Sequence, residues 1–173
     1  MSATLASKSV EYTGKPLEYQ HFVIGLERLD NILPEIRAMY LVHWAETEVL
    51  YLTRQPSIDH ERLRDLDVMG KCCQFTVRDM RGNLSGNLCY TLNTSTHFKG
   101  MKMATEVAFY LLPDARKGRL ALKVVQYAED MLKSRGVKLI GMSDKSPCGG
   151  KSLAKLMDKM DYKPVSLNYI KEV

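Results

Sequence analysis

The chain has 173 residues, of which 45% are hydrophobic and 26% charged, and a net charge of +5. That is enough chain for one domain with its own core, and the composition is that of a soluble globular protein. No stretch approaches the ~18 consecutive apolar residues of a membrane-spanning helix, and no block of five like charges marks a polyanion-binding tail, so the basic excess reads first as a solvated surface.

Residues 1–15 are small and polar and predict a loose tail; residues 16–173 predict a single domain. "LEYQHFVIGL" (17–26) reads as a first strand. From Leu29 to about Thr53, Ile32, Ile36, Met39, Tyr40, His43, Trp44, Thr47, Leu50 and Tyr51 recur at three- and four-residue steps, which predicts a helix with Pro34 in its first turn. "PSIDHERLRDLDVMG" predicts a short second helix ended by Gly70. "CCQFTVRD" and "NLSGNLCYTLNT" alternate as strands and flank "DMRGN", a hairpin signal. "MATEVAFYLL" is a further strand. After the turn "PDARKGR", apolar residues at 120, 121, 124, 125, 128, 131 and 132 form an amphipathic helix closed by Gly136. "VKLIGM" reads as a buried strand, "KSLAKLMDKM" as a helix and "YKPVSLNYIKEV" as a last strand. The order predicts an α/β fold in one domain with a mixed sheet.

Cys72, Cys73, Cys89 and Cys148 form no C-x-x-C pair, and a vicinal pair does not readily close on itself. Reduced thiols and a cytoplasmic protein are expected, and no secretory leader pattern opens the chain. His21, His43, His60 and His97 lack metal-ligand spacing, so no metal is expected.

The turn between the strand "MATEVAFYLL" and its helix holds Arg116, Lys117, Gly118 and Arg119. The first N–H groups of a helix have no intrahelical partner and, with the helix dipole, attract anions. A glycine lets the backbone come close, and the cations add charge-assisted contacts, so the turn suits a phosphate or pyrophosphate. The bland alternative is a helix start with a solvated basic collar. "SPCGGKSLAKL" shares the ending of a P-loop at Gly150, Lys151 and Ser152, but Lys145 stands where its first glycine belongs, and no dinucleotide fingerprint occurs.

These residues carry a resemblance. Over roughly 20–173, and most strongly over 106–137, the chain resembles the GNAT superfamily of acetyl-CoA-dependent N-acetyltransferases. The family signature Q/R-x-x-G-x-G/A here reads Arg116-Lys117-Gly118-Arg119-Leu120-Ala121, its ends matched and its central glycine displaced to 118. His43-Trp44-Ala45-Glu46 in the first helix, Arg78-Asp79-Met80-Arg81-Gly82 in a hairpin, "HF" after the third strand and "YIK" at 169–171 resemble phage and prophage members. The resemblance implies a mostly antiparallel sheet of about six to seven strands flanked by about four helices. It implies acetyl-CoA as cosubstrate, its pyrophosphate on residues 117–121, and its pantetheine beside the strand that ends at Leu111 and Leu112. Backbone near Leu111 would then hold the thioester carbonyl.

A primary amine, on a small molecule or a protein, would be the acceptor. The pI near 9.0 also admits an acceptor bound to nucleic acid, and sheet edges admit a homodimer. Glu106 is the candidate general base: it interrupts an apolar strand, where partial burial raises a carboxylate's pKa. The alternative is a solvent-facing carboxylate paired with a neighbour. His43 is a second candidate, to position the amine or act as base, against a core-edge histidine tied to its own helix. The family's acidic tyrosine position holds Met157, and Tyr162 falls on a core aromatic. A catalytically silent phage protein with this fold, a virion component or a host-takeover factor in the host cytoplasm, is the alternative function.

Overall fold

The computed structural model describes residues 10–47, 58–144 and 153–165. Six strands form one sheet in chain order: β1 (Leu17–Tyr19), β2 (Phe22–Glu27), β3 (Cys72–Asp79), β4 (Leu84–Thr94), β5 (Lys102–Leu111) and β6 (Leu139–Gly141). All neighbours are antiparallel except β5 and β6. A parallel pair needs a crossover, and α3 (Leu120–Ser134) supplies it. The helices α1 (Leu29–Thr47) and α2 (His60–Val68) follow β2, and α4 (Ala154–Lys159) follows β6. This is the expected α/β architecture, with six described strands and four described helices.

Several expectations shift. The segment 17–26 is two strands rather than one, because Gln20 takes φ 56° and turns the chain into a hairpin. The first helix begins at Leu29, which puts Pro34 in its second turn rather than its first. Its predicted end near Thr53 lies outside the described residues, as do Cys148, the Gly150–Ser152 stretch and the closing "YIK". Residues 162–165 are not in a strand, and the rest of the predicted last strand is outside the described residues too. Part of the predicted tail packs: Thr13 N donates to the Leu26 carbonyl at 2.6 Å, and Tyr127 Oη donates to the Lys15 carbonyl at 3.0 Å.

Helices on both faces bury the sheet, which is why every residue of β3 from Cys72 to Arg78 is buried. Alternation assigns Cys73, Phe75, Val77, Leu88, Tyr90, Ala104 and Leu111 to the α3 face. There they meet the helix's apolar stripe of Leu120, Val124, Val125, Ala128 and Leu132. Each such aliphatic chain contributes about 1.5–3 kcal/mol on burial. Leu84, Ala108 and Tyr110 face the other layer, where Leu29, Ile32, Ile36, Met39 and Tyr40 of α1 pack with Leu63 of α2. Asp59 caps α2 by accepting from Arg62 N at 2.9 Å. Asp67 at its far end accepts from Leu29 N at 3.1 Å and pairs with Arg28, so α2 also caps α1.

The Arg78–Gly82 motif has a structural role. Arg78 is buried and bridges Glu27 on β2, Glu35 on α1 and the Gly82 carbonyl of the hairpin. Asp79 accepts from the N–H groups of Arg81 and Asn83 and so shapes the turn. The thiols of Cys72, Cys73 and Cys89 are free and buried, and burial pushes Cys73 up to about 11. Close packing of β4 on β5 needs Gly86. A Cβ there would lie 2.3 Å from Leu111 Cδ2 and 3.0 Å from the Tyr110 carbonyl oxygen. Gly86→Ala is therefore expected to cost about 1–3 kcal/mol in urea unfolding, and a variant as stable as the parent would show that the two strands can separate there freely.

Candidate active site

β5 carries the centre of the site through two irregularities. Cys89 opposes Ala108, but Tyr90 opposes Glu106, so Val107 is an extra residue. This β-bulge bends the strand and re-aims the residues around it. On the other side, among the described residues, β5 pairs with β6 only at Met103, Ala104 and Thr105, against Leu139, Ile140 and Gly141. Past Thr105 the two strands part, and a fork opens.

The ladder decides which backbone groups line the fork. Leu112 N donates to the Ser85 carbonyl at 2.8 Å, so Leu112 faces β4. Alternation then turns the N–H and C=O groups of Phe109 and Leu111 away from β4 and toward the gap. The Leu111 carbonyl accepts from Arg116 Nε at 2.7 Å; its N–H lies on the same open edge.

Glu106 sits at the apex of the fork. It is half-buried, shares the α3 face with Tyr90, and its Oε2 accepts from Ser143 N at 3.0 Å. The carboxylate is thus tied to the segment that leaves β6.

The turn after β5 is a 3-10 helix, Pro113–Arg116, followed by extended Lys117 and by Gly118 at φ +70°. A left-handed φ of this kind suits glycine, and an ideal Cβ built there meets no heavy atom within 4 Å. The backbone is therefore open to close approach. Arg119 precedes α3, and no side chain caps the helix. The N–H groups of its first turn, from Leu120 and Ala121 onward, have no intrahelical acceptors. Lys117 and Arg119 are exposed; Lys117 reaches Asp114 at 3.9 Å, and Arg119 makes no ion pair among the described residues. The turn thus offers uncapped donors and two solvent-facing cations in one place, which suits a pyrophosphate.

Arg116 does something else. Its Nη2 donates to Glu46 Oε2 at 2.7 Å, and its guanidinium lies 4.9 Å over the Tyr110 ring. Tyr110 Oη donates to the other Glu46 oxygen at 2.8 Å; burial and that carboxylate raise the phenol's pKa. His43, one turn before Glu46, stacks on Tyr110 at 4.9 Å between ring centres. The expected basic cluster is thus divided. Lys117, Gly118, Arg119, Leu120 and Ala121 form the mouth of the fork, while Arg116 ties that mouth to α1. The tie joins residues 70 apart in sequence, and no local pattern announces it. His43 stands on the α1 side of the sheet, and Glu106 on the α3 side. Met157 is half-buried on α4, and Tyr162 packs against the α3-face core with its hydroxyl on Glu129 at 3.0 Å.

Among the described residues no cluster of three or more His, Cys, Asp or Glu is arranged to hold a metal, and no helix is long and apolar enough to cross a membrane.

No family model matches the chain, and no curated protein matches its sequence. Solved structures do. An aminoglycoside acetyltransferase from an uncultured soil metagenomic sample superposes with a TM-score of 0.67 at 11% identity, over 89% of this chain and 99% of that one. Glucosamine-6-phosphate N-acetyltransferase from Arabidopsis thaliana gives 0.64 at 14%, over 88% and 99%. Ribosomal-protein-alanine N-acetyltransferase from Brucella melitensis gives 0.61 at 16%, over 87% and 99%. Likeness at such identities establishes architecture alone, and the architecture of this chain is the GNAT fold.

Proposed function

We propose that the chain is an acetyl-CoA-dependent N-acetyltransferase that acylates a primary amine in the β5–β6 fork. The observation that carries this reading is the juxtaposition of a strand edge without a partner among the described residues and an uncapped helix start. The edge at Phe109 and Leu111 suits an extended amide-bearing chain, by β-pairing. The turn at Lys117–Ala121 beside it suits the pyrophosphate at the end of such a chain. Acetyl-CoA has both parts, and when bound it supplies the acetyl group as an activated thioester.

The protein's own groups then have separate tasks. Lys117 and Arg119 neutralise phosphate charge while backbone N–H groups orient it. Open-edge N–H groups of β5 donate to the thioester carbonyl oxygen, where negative charge grows during attack. Glu106 takes a proton from the acceptor ammonium, so that the free amine attacks. Arg116, held by Glu46 and stacked on Tyr110, fixes the phosphate turn relative to α1. His43 forms part of an aromatic wall on the α1 side. The structural neighbours named as aminoglycoside and glucosamine-6-phosphate acetyltransferases support an amine-bearing small molecule as acceptor.

Met157 has no proton to give, so the departing thiolate leaves unassisted by that position. This departure is the observation behind the second reading, a silent domain that keeps the fold to bind a partner.

Calorimetric titration with acetyl-CoA, desulfo-CoA and ATP tests the proposal. Both CoA compounds are expected to bind, and ATP is not. Arg119→Ala is expected to weaken acetyl-CoA about tenfold, the worth of one charge-assisted contact. Gly118→Ala carries a left-handed penalty of about 1–2 kcal/mol and also crowds the open face of the turn. Absence of binding by both CoA compounds would overturn the reading and favour the silent domain.

A further inference from the structure

The three cations of the phosphate turn differ in what holds them. Lys117 has 84% of its side chain exposed and Arg119 is exposed, whereas Arg116 keeps 24%. The Arg116 guanidinium is committed to β5 and α1. Nε donates to the Leu111 carbonyl at 2.7 Å, Nη2 donates to Glu46 Oε2 at 2.7 Å, and Cζ lies 4.9 Å from the centre of the Tyr110 ring. Glu46 also accepts from Tyr110 Oη at 2.8 Å, and the His43 ring stacks on Tyr110. Turning the guanidinium onto a phosphate would break all three of its contacts. The turn has a hold of its own: Ala115 is buried, and its N–H donates to the Leu112 carbonyl at 2.8 Å.

These contacts enclose one backbone donor, the open-edge N–H of Leu111. The peptide that follows it is held on both sides, because Leu112 N donates to the Ser85 carbonyl while the Leu111 carbonyl accepts from Arg116. The residue before it, Tyr110, is buried, and its side chain is fixed by Arg116, Glu46 and His43. The donor is thus bracketed before and after by groups that meet at one guanidinium. Arg116 also occupies the carbonyl next to that donor, so an N–H group is what this part of the edge offers a ligand. A donor of this kind lowers a barrier only if it is in place before charge develops. A misplacement of about 1 Å can cost about 10²-fold in rate.

We propose, resting on the reading of the β5 edge as the holder of the thioester carbonyl, that Arg116 and Glu46 form a clamp that positions the Leu111 N–H and that Arg116 binds no phosphate. Arg116 is therefore a positioning residue that acts on turnover through Leu111, although it stands first in the anion-binding turn. Phosphate charge is left to Lys117, Arg119 and the backbone N–H groups. Glu46 serves the clamp twice, by holding the guanidinium and by holding the Tyr110 hydroxyl.

The test compares the parent with R116K, R116Q, E46Q and R116Q/E46Q, and with R119A as the phosphate-contact control. Lysine keeps the charge of Arg116 but not the planar fork that spans a carbonyl and a carboxylate. Nitrogen-15 relaxation of the Leu111 amide needs neither cofactor nor acceptor. Its order parameter is expected to fall from the rigid range of about 0.85 in R116K, R116Q and E46Q alike, and an unchanged value overturns the clamp. Desulfo-CoA is then titrated calorimetrically at low and high salt. R119A is expected to weaken binding and flatten its salt dependence, whereas R116Q keeps the parent's salt dependence and an affinity within about threefold. A tenfold loss in R116Q that R116K restores would make Arg116 a phosphate ligand and overturn the proposal. Finally, acetyl transfer is measured with kanamycin, glucosamine-6-phosphate and spermidine. R116K, R116Q and E46Q are expected to lose about ten- to a hundredfold in kcat with little change in KM for acetyl-CoA, and R116Q/E46Q no more than R116Q. A merely structural pair would lower Tm and leave kcat in place. If the parent turns over and R116Q keeps its kcat, the clamp fails while the acetyl-transfer reading stands. If the parent binds neither CoA compound, the acetyl-transfer reading fails and the clamp with it.

Discussion

Arg78→Ala is expected to destabilise the fold by about 3–5 kcal/mol, among the largest losses any single substitution here would cause. The reason is the partner left behind. Glu27 is 3% exposed and is held by both Arg78 Nε and Nη2, at 2.8 and 3.0 Å, and by the Thr76 hydroxyl. Without the guanidinium, the buried carboxylate loses both charge-assisted donors and keeps the Thr76 hydroxyl among the described residues. Glu35 suffers less, because it is 29% exposed and water can replace the arginine. Urea unfolding of parent and variant checks this. A loss below about 1 kcal/mol would mean that the network contributes no more than a surface pair. R78M combined with E27Q is expected to recover part of the loss, because it removes the orphaned charge.

The second large effect concerns turnover. Glu106→Gln is expected to lower kcat by about 10²–10⁴, with little change in Tm or in acetyl-CoA affinity. Glutamine keeps an oxygen to accept from Ser143 N, so the apex of the fork is held as before. What disappears is the ability to take a proton. In the parent, kcat/KM at low pH should rise tenfold per pH unit until the base is ionised. That limb should vanish in the variant, leaving the ionisation of the amine alone. A variant whose pH profile matches the parent would remove Glu106 from the mechanism and turn attention to His43, the other sequence candidate. Measuring both profiles with one amine separates these cases.

Much of the architecture is legible in the order of apolar and polar residues. The period of α3 is clear from Leu120 to Leu132 because one stripe meets one face of a sheet, and the DMRGN hairpin is clear because its turn residues act locally. Less legible are features set by a single backbone angle, such as the Gln20 turn that divides β1 from β2. The basic turn shows the boundary well. Its charge and its glycine are visible in the sequence, and so is the anion-attracting helix start. The division of labour within it is not visible, because Arg116 is committed by Glu46 and Tyr110, which lie 70 and 6 residues away. The same holds for Glu106. Its type and its strand can be read, but both a catalytic and a solvent-facing carboxylate fit the pattern. The Ser143 contact and the register with Tyr90 come from a distant segment and a neighbouring strand.

By itself, then, the sequence determined the α/β class, the core faces of α3 and β3, and a cationic glycine turn at a helix start. These depend on periodicity, propensity and local charge, which neighbours along the chain settle among themselves. Only the tertiary structure decided where β5 bulges, where β5 and β6 part, and which buried polar groups meet there. Those depend on registers between strands and on contacts between segments far apart in the chain. A fork in a sheet is a place where pairing stops, and no local run of residues records where a partner strand will leave.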